Sequence, residues 1–369
     1  MYDVVVIGGG AMGSAAALRL ADAGRDVLLL EQHEFGHDLG GSHGGTRLFR
    51  HAVDDAGYLD RVRQARVLWD ELQDRAGITL LELTGGIDHG VGDPVIATFR
   101  DLFAGRRLAH EVLDPDEAAE RWPGMLFRSP VLFQEDAGRL LCDRAVAAVQ
   151  GLARAAGAGL RDKTRVDAVR VEKGGDGVED GLVTVDAGGE TLRARQVVVT
   201  AGPWAPRLLD GIATLPPLRV TQEQPRFFAP RDPAVTWPSF VHWRDPAAEA
   251  YGLYEKDSGV KVGLHATGPE IDPDVRVPLD PAADAELLRY VEEWFPGLDP
   301  GDSTAISCLY DNTPDDRFVI DRVGPVTVAT GFCGQGFKFV PLVARYVTDL
   351  VTGDGGPPAD HRLRGFEDR

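Results

Sequence analysis

The sequence lacks the features that mark disulfide-rich, membrane-spanning and metal-binding proteins. Its 369 residues include only three cysteines, Cys142, Cys308 and Cys333, and this odd, widely spaced set excludes a disulfide framework. No stretch approaches the roughly 18 apolar residues that a membrane-spanning helix needs. There is also no CxxC or HExxH signature, so we predict no metal site.

Positive charge is scarce as well. Lysine and arginine total 39 against 58 aspartates and glutamates, which gives a formal net charge of −19. Because phosphate binding needs clustered basic residues, this balance disfavours a nucleic-acid partner. The apolar run at residues 4–7 is followed at once by glycines and is too short for a signal peptide. We therefore expect a cytoplasmic protein with no membrane partner.

The first thirty residues have the pattern of a strand–helix–strand unit. Residues 3–7 (DVVVI) and 27–31 (VLLLE) are short apolar runs typical of strands buried on both faces. Between them, residues 14–24 carry apolar side chains at helical spacing. A βαβ unit of this size predicts an α/β fold with parallel strands.

A glycine motif, Gly8-x-Gly10-x-x-Gly13, lies where this first strand meets the helix. The first glycine allows a tight turn, the second lets the backbone approach a pyrophosphate, and the third lets helix and strand pack closely. The helix N-terminus favours phosphates. Glu31, the acid at the end of the second strand, can accept hydrogen bonds from ribose hydroxyls but disfavours a 2′-phosphate. The motif predicts a dinucleotide site, with a glycine-rich structural turn as the alternative. Its residues are Gly8, Gly10, Ala11, Met12, Gly13, Glu31 and Gln32.

Residues 197–204 (VVVTAGPW) favour FAD over NAD as the dinucleotide. This late strand runs into a turn of small residues and resembles the second motif of flavoproteins with two dinucleotide folds, where the chain returns to the FAD domain. A plain NAD dehydrogenase remains the alternative. The return adds Ala201, Gly202 and Trp204 to the predicted cofactor site, which also includes Val166.

Three further segments carry a family resemblance. They are Ser42–His51 (SHGGTRLFRH), Cys308–Tyr310 (CLY) and Gly334–Phe339 (GQGFKF). With the glycine motif and in this order along the chain, they closely resemble the monomeric sarcosine oxidase family. That family includes N-methyltryptophan oxidase and pipecolate oxidase and belongs to the D-amino-acid-oxidase fold group. The resemblance runs essentially from end to end.

The alternation of helical and strand-like segments along the chain indicates two interleaved domains, each built from separated pieces. The expected fold class is α/β: a Rossmann-like FAD-binding domain with an α+β substrate domain built on a mixed or antiparallel sheet. Residues 1–80, 150–215 and 305–369 would form the FAD domain. Residues 81–149 and 216–304 would form the substrate domain.

The resemblance also implies how the flavin is held. Cys308 stands at the position of the cysteine that forms a thioether with FAD in that family. Arg47 matches an arginine beside the flavin, and His43 matches a nearby histidine. The remaining residues of the implied cofactor site are Ser42, Thr46, Gly334, Gly336, Phe337 and Lys338.

The substrate side of the implied site contains two carboxylate-binding cations, Arg50 and Lys338. Arginine offers a planar fork and lysine a movable point charge, which together suit a carboxylate. Lys261 matches the lysine proposed to activate oxygen, and a fixed cation would stabilise anionic superoxide. The other implied pocket residues are Tyr251, His265, Tyr310 and Gln335.

Taken alone, these residue types also allow purely structural interpretations. Arg50 and Lys338 could form surface ion pairs, Lys261 could face solvent, and His265 could bind a backbone group. Two departures from the family also matter. Gly45 stands where an acidic residue is frequent, and Gln335 stands where many members have histidine, so sarcosine itself is not implied.

The expected activity is FAD-dependent oxidation of the C–N bond of an N-methyl or cyclic amino acid. The amine would give up a hydride to the flavin and leave as an imine, and molecular oxygen would be reduced to hydrogen peroxide. A monomer is expected. The alternatives are a biosynthetic oxidase of an imino acid or cyclic imine, a fructosyl-amino-acid oxidase, and a flavin-binding subunit without catalysis.

Secondary structure is also predicted outside the motifs. Apolar periodicity predicts helices at residues 59–72, 150–162, 282–294 and 340–351, and a strand at 326–330. Residues 80–150 are dominated by short strand-like pieces, turns and prolines. The acidic, glycine-rich stretch 172–181 predicts a hairpin or loop.

Overall fold

A computed structural model describes residues 1–52, 55–90, 93–172, 182–245 and 248–363. All but the first residue of the loop predicted at 172–181 lies outside these ranges. Within them, no helix combines the length and the apolar character needed to cross a bilayer.

Eight α-helices and three short 3₁₀ helices are present in the described part of the chain. The 3₁₀ helices are Gly202–Trp204, Gly336–Phe339 and Ala359–His361. The α-helices are α1 (Ala11–Asp22), α2 (Ala56–Ala76), α3 (Asp93–Arg106), α4 (Pro115–Arg121), α5 (Cys142–Ala155), α6 (Ala205–Leu209), α7 (Pro281–Trp294) and α8 (Val340–Thr352).

The strands divide between two large sheets and two small ones. In chain order they are β1 (Tyr2–Ile7), β2 (Val27–Leu30), β3 (Thr46–Phe49), β4 (Leu81–Glu82), β5 (Gly86–Gly90), β6 (Glu111–Leu113), β7 (Val131–Gln134), β8 (Gly138–Leu141), β9 (Gly159–Arg161), β10 (Val166–Val171), β11 (Val183–Ala187), β12 (Glu190–Val199), β13 (Arg219–Glu223), β14 (Arg226–Pro230), β15 (Ser239–Asp245), β16 (Ala248–Glu255), β17 (Gly259–Leu264), β18 (Leu298–Ala305), β19 (Cys308–Asn312), β20 (Val319–Val323) and β21 (Val326–Thr330).

The first large sheet has a parallel centre, in the order β9-β2-β1-β12-β21. The antiparallel strands β20, β11 and β10 extend it. Alternate residues of β1 enter different cores: Val4 and Val6 pack with helices α1, α2, α5 and α8, while Val5 and Ile7 pack on the other face. Burial on both faces explains why β1 and β2 are continuous apolar runs rather than alternating ones.

The second large sheet is mixed, in the order β18-β14-β17-β16-β15-β5-β7-β6. Its only parallel pair within the described strands is β5 with β15; the others are antiparallel. Helices α4 and α7 pack on it around Phe228, Phe240 and Phe295. The predicted fold class, a Rossmann-like α/β unit with an α+β unit on a mixed sheet, is confirmed. The domain boundaries stay a prediction.

Two secondary-structure predictions were wrong. The helix expected at 150–162 begins and ends earlier, at Cys142–Ala155, because the chain turns at Gly157 (φ +100°) and enters strand β9 beside β2. The region 80–150, expected to be strands and turns, also contains helices α3 and α4. Helix α4 is marked by a capping box in which Asp114 and Glu117 bind each other's backbone N–H groups.

Candidate active site

The glycine motif forms a tight cradle between β1 and α1. Gly8 has φ +105°, and a β-carbon there would lie 2.5 Å from the carbonyl oxygen of Thr200. A β-carbon at Gly13 would overlap the carbonyl oxygen of Gly8. The first and third glycines therefore have the turn and packing roles predicted from the sequence.

Glu31 sits at the end of β2 and is almost fully buried. Its carboxylate accepts hydrogen bonds from the backbone N–H of Gly9 at 2.7 Å and of His33 at 2.9 Å, and it lies 3.4 Å from Nε2 of His37. Burial alone would raise the pKa of Glu31, but the hydrogen bonds from His37, His33 and Gly9 outweigh it and hold that pKa below its ordinary value. The group is therefore an anionic acceptor at neutral pH.

A cavity of about 430 Å³ opens over these residues, and we call it the glycine-loop cavity. Its wall also includes Gly9, Phe35, Gly36, His37, Gly40, Gly41, Gln150, Thr164 and Pro203. The predicted cofactor residues that line it are Gly8, Gly10, Glu31, Gln32, Ser42, His43, Val166, Ala201, Gly202 and Trp204.

Replacing Gly13 by alanine should destabilise the protein by about 3 kcal/mol or more and prevent dinucleotide binding, because the fixed backbone at Gly8 cannot yield. Gly151→Ala is the matched control, since its β-carbon would meet open space on helix α5 and alanine is the better helix former. Denaturant unfolding and bound-flavin absorbance measure both effects. Equal behaviour of the two variants would contradict the packing role.

A second cavity of about 100 Å³ lies where β3, β16, β17, β19 and the Gly336–Phe339 turn meet. We call it the two-lysine cavity. His43 lines both cavities, so they lie on either side of the same residue. The predicted site residues that the fold gathers here are His43, Arg47, Arg50, Tyr251, Lys261, His265, Cys308, Tyr310, Gly334, Gln335, Phe337 and Lys338.

Lys261 projects from β17 into this cavity and is 4% exposed. Its Nζ donates to the carbonyl oxygen of Thr46 at 2.8 Å, and Arg47 donates to the same oxygen at 2.9 Å. Burial, followed by the nearby charge of Arg47, lowers the pKa of Lys261 to about 8. The alternative of a solvent-facing lysine is therefore wrong for this residue.

Arg50, just after β3, is already paired with an acid. Its guanidinium lies 3.0 Å from the carboxylate of Asp88, which also accepts from Trp243 and Gln134. Burial raises the pKa of Asp88 to about 6 against the opposing effect of Arg50. The second acid, Glu249 on β16, is 3.9 Å from the guanidinium and lines the cavity. Arg50 is thus held in place by Asp88, with a second carboxylate beside it.

Lys338 reaches the same cavity from the Gly336–Phe339 turn. Its Nζ donates to the hydroxyl of Tyr58 at 3.2 Å, and Tyr58 donates to Oε1 of Gln335 at 2.8 Å. The ammonium lies over the rings of Tyr58 and Phe339 at 5.5 and 5.4 Å. Lys338 is 8% exposed, so it does not form the surface ion pair considered as an alternative.

Aromatic residues also line the two-lysine cavity. The ring of His265 lies 5.5 Å from that of Tyr310, and a hydrogen bond links the phenols of Tyr310 and Tyr251. Burial raises the pKa of both tyrosines. They therefore remain neutral hydrogen-bonding groups at physiological pH.

The three cysteines occupy different surroundings. Cys308 lines the two-lysine cavity, where burial raises the pKa of its thiol while Arg47 and Lys261 oppose that rise. Cys333 contacts Thr313 outside this lining, and Cys142 is fully buried. Among the residues that the structure describes, His, Cys, Asp and Glu form no group of three or more that could hold a metal ion.

Five predicted cofactor residues line neither cavity. Met12 and Gly13 pack within the βαβ unit, and the backbone N–H of Ala11 donates to Ser42 Oγ at 3.0 Å. The carbonyl oxygen of Thr46 accepts hydrogen bonds from Lys261 and Arg47, and Gly336 packs against Phe332. These five residues therefore support the site without lining either cavity.

Sequence reasoning missed Asp88, Glu249 and Tyr58, which contact the predicted cations. It also missed the reason for Gly45: a β-carbon there would overlap the carboxylate of Glu255, which accepts from Thr46 Oγ1 at 2.8 Å. An acidic group thus stands beside Gly45, supplied by a different strand.

The glycine cradle between β1 and α1, with an anionic Glu31 after β2, is the arrangement of a dinucleotide-binding protein of the α/β class. The chain belongs to the FAD-dependent oxidoreductase family, whose model matches residues 3–350. It is therefore an FAD-dependent oxidoreductase.

The chain is similar to proteins of known activity over nearly its whole length. It is 33% identical to a monomeric sarcosine oxidase of Streptomyces avermitilis, with 97% of this chain and 95% of that protein covered. It is 29% identical to a monomeric sarcosine oxidase of Bacillus sp. (strain NS-129), with 95% and 93% covered. Its fold matches NikD, an unusual amino acid oxidase essential for nikkomycin biosynthesis, with a TM-score of 0.85, 26% identity and 97% and 96% coverage. The predicted resemblance to the monomeric sarcosine oxidase family is confirmed.

Proposed function

We propose that the protein oxidises the C–N bond of a secondary-amine amino acid, N-methyl or cyclic, to an imine, with oxygen reduced to hydrogen peroxide. The observation that carries the proposal is the two-lysine cavity. It gathers Arg50, Lys261 and Lys338 in one space, and His43 lines both this cavity and the glycine-loop cavity. The activities named for the similar oxidases support it.

The residues present fit FAD. The glycine cradle admits a close backbone approach, and the anionic Glu31 offers acceptors for ribose hydroxyls. The residues proposed to hold FAD are those of the glycine-loop cavity together with Arg47, Cys308, Gly334 and Phe337. When bound, the flavin supplies the two-electron oxidation, and the protein supplies positioning and electrostatics.

Arg50 and Lys338 are proposed to bind the substrate carboxylate. Asp88 holds Arg50 at one edge of its guanidinium, so the remaining N–H groups can face the cavity. The carboxylate would thereby be fixed beside these two residues.

Lys261 is proposed to stabilise the negative charge that develops as oxygen is reduced. It is a buried cation whose Nζ is fixed by the Thr46 carbonyl. A preorganised charge in a dry site needs little reorganisation during the reaction, and this makes it effective.

Peroxide release across a panel of amines tests this function. We expect turnover with N-methyl amino acids or with pipecolate and proline, and much weaker turnover with amines that lack a carboxylate. Turnover confined to cyclic imines or glycated amino acids would favour a biosynthetic or a fructosyl-amino-acid oxidase. A flavin that no panel member reduces would contradict the proposal and favour a non-catalytic flavin subunit. Monomeric state and cytoplasmic location stay predictions.

Covalent attachment of FAD through Cys308 gives a separate expectation. After acid precipitation, the yellow colour should stay with the wild-type pellet and move to the supernatant for Cys308→Ser. Cys333→Ser is the matched control, because Cys333 is also a buried thiol but lies outside the lining of the two-lysine cavity. Colour retained in the Cys308→Ser pellet would contradict attachment at this residue.

A further inference from the structure

Lys338 differs from the other cations of the site in its partners. Among the described residues, its Nζ forms no ion pair within 4.0 Å, and its hydrogen-bond partner is the neutral phenol of Tyr58. Arg50, in contrast, has the carboxylate of Asp88 at 3.0 Å and that of Glu249 at 3.9 Å. The protein therefore balances the charge of Arg50 but not that of Lys338.

The proposed reaction needs a group that accepts a proton. An alkylammonium has a pKa of about 10.4, so the amine of an amino acid reaches the site protonated at neutral pH. Its lone pair must be freed before the C–N bond can be oxidised. A useful base is one that is partly unprotonated at the working pH.

The two phenols, Lys261 and the nearby carboxylate suit this task less well. Burial raises the pKa of the Tyr251 and Tyr310 phenols, so both already carry their proton and cannot accept another from the amine. Lys261 is turned toward the Thr46 carbonyl. The carboxylate of Glu249 already faces the Arg50 guanidinium, 3.9 Å away.

We propose that Lys338 enters the reaction as a free amine and takes the proton of the substrate ammonium. The substrate N–H bond breaks, an Nζ–H bond forms, and no electrons change hands in this step. The resulting Lys338 ammonium then pairs with the substrate carboxylate beside Arg50. This inference rests on the proposed function, because it requires a zwitterionic amino acid in the two-lysine cavity.

The electrostatics of the cavity support this role. Burial, followed by the positive charge of Arg50, lowers the pKa of Lys338 to about 7, while the negative charge of Glu249 opposes the fall. A substantial share of Lys338 is therefore unprotonated at neutral pH. Arrival of a carboxylate raises its proton affinity, so substrate binding itself favours the transfer.

Lys338→Arg is the discriminating variant, because arginine keeps the positive charge but cannot lose its proton. We follow anaerobic flavin reduction by an N-methyl amino acid against pH. In the wild type, the second-order rate constant should level off above about pH 7. In the variant the group that titrates near pH 7 is gone, so this levelling-off should disappear and the rate constant should keep rising tenfold per pH unit toward the amine pKa. A variant with the wild-type pH profile and only a weaker Kd would overturn the proposal and leave Lys338 as an anchor.

Acetate binding tests the same group without turnover. Because acetate should bind to protonated Lys338, its affinity should fall about tenfold per pH unit above pH 7 in the wild type and stay constant in Lys338→Arg. Glu249→Gln should move the wild-type break to lower pH, since Glu249 raises the pKa of Lys338. A flat wild-type acetate profile would overturn the role of Lys338 even if amines are oxidised. Absence of any amine oxidation with the expected acetate profile would instead contradict the proposed function.

Discussion

Replacing Lys261 by methionine should slow the reaction of the reduced enzyme with oxygen by about 10²–10³-fold, the loss typical when one preorganised charge-stabilising group is removed. Substrate reduction of the flavin should change only a few-fold. Lys261 is buried, and its Nζ is fixed by Thr46. The two half-reactions can be measured separately by anaerobic reduction followed by rapid mixing with oxygen.

The pH dependence sharpens this expectation. The pKa of Lys261 is about 8, so its positive charge is present below pH 8 and is lost above it. Wild-type reoxidation should therefore slow above pH 8, whereas that of Lys261→Met should not respond there. Lys163→Met is the control, since Lys163 is an exposed lysine paired with Glu34. Unchanged reoxidation in Lys261→Met would rule out the proposed role.

The dinucleotide half of the site could be predicted from local sequence. Gly8, Gly13 and Glu31 belong to one βαβ unit, so short-range geometry determines their contacts. The structure adds the hydrogen bonds of Glu31 with Gly9 and His33, its contact with His37, and the packing of Gly8 against Thr200. Local rules succeed for the contacts within the βαβ unit, because those residues are close in the chain, but they do not reveal Thr200.

The substrate half could not be derived from spacing. Thr46 and Lys261 are 215 residues apart, and only the pairing of distant strands brings them together. The resemblance to a family identified Arg50, Lys261 and Lys338. It did not identify Asp88 or Glu249, which are not in the quoted motifs.

A signal for Asp88 was nevertheless present. The segment Gly86–Gly90 (GIDHG) is a short strand, buried throughout, and a buried aspartate in a strand requires donors. Those donors come from Arg50, Gln134 and Trp243, on three different segments. The sequence can show that a partner is needed, but the partner itself depends on sheet order, in which β5 lies between β15 and β7.

Replacing Arg50 by alanine should have two effects that can be separated. Loss of a charged, forked donor should raise KM for carboxylated amines by about 100-fold or more, since hydrogen bonds to charged groups contribute about 1.5–3 kcal/mol each. KM for amines without a carboxylate should change little. A peroxide assay with matched amines measures this, and an equal loss on both classes would contradict carboxylate binding.

The second effect is on stability, because Arg50→Ala leaves Asp88 buried without its cation. Removing one partner of a buried ion pair lowers the free energy of unfolding by about 3–5 kcal/mol. The loss is smaller here, because Asp88 can take up a proton and become neutral. The folded pKa of Asp88, about 6, lies above its ordinary value of 3.8, so its contribution to stability is fully present below pH 4 and is lost as pH rises through 6. Arg50→Ala/Asp88→Asn should therefore recover most of the stability and flatten its pH dependence between 4 and 6, while KM stays high. We expect KM to stay high because Asp88 acts on Arg50 rather than on the substrate. A low KM in the double variant would instead show that Asp88, not Arg50, determines the affinity for the carboxylate.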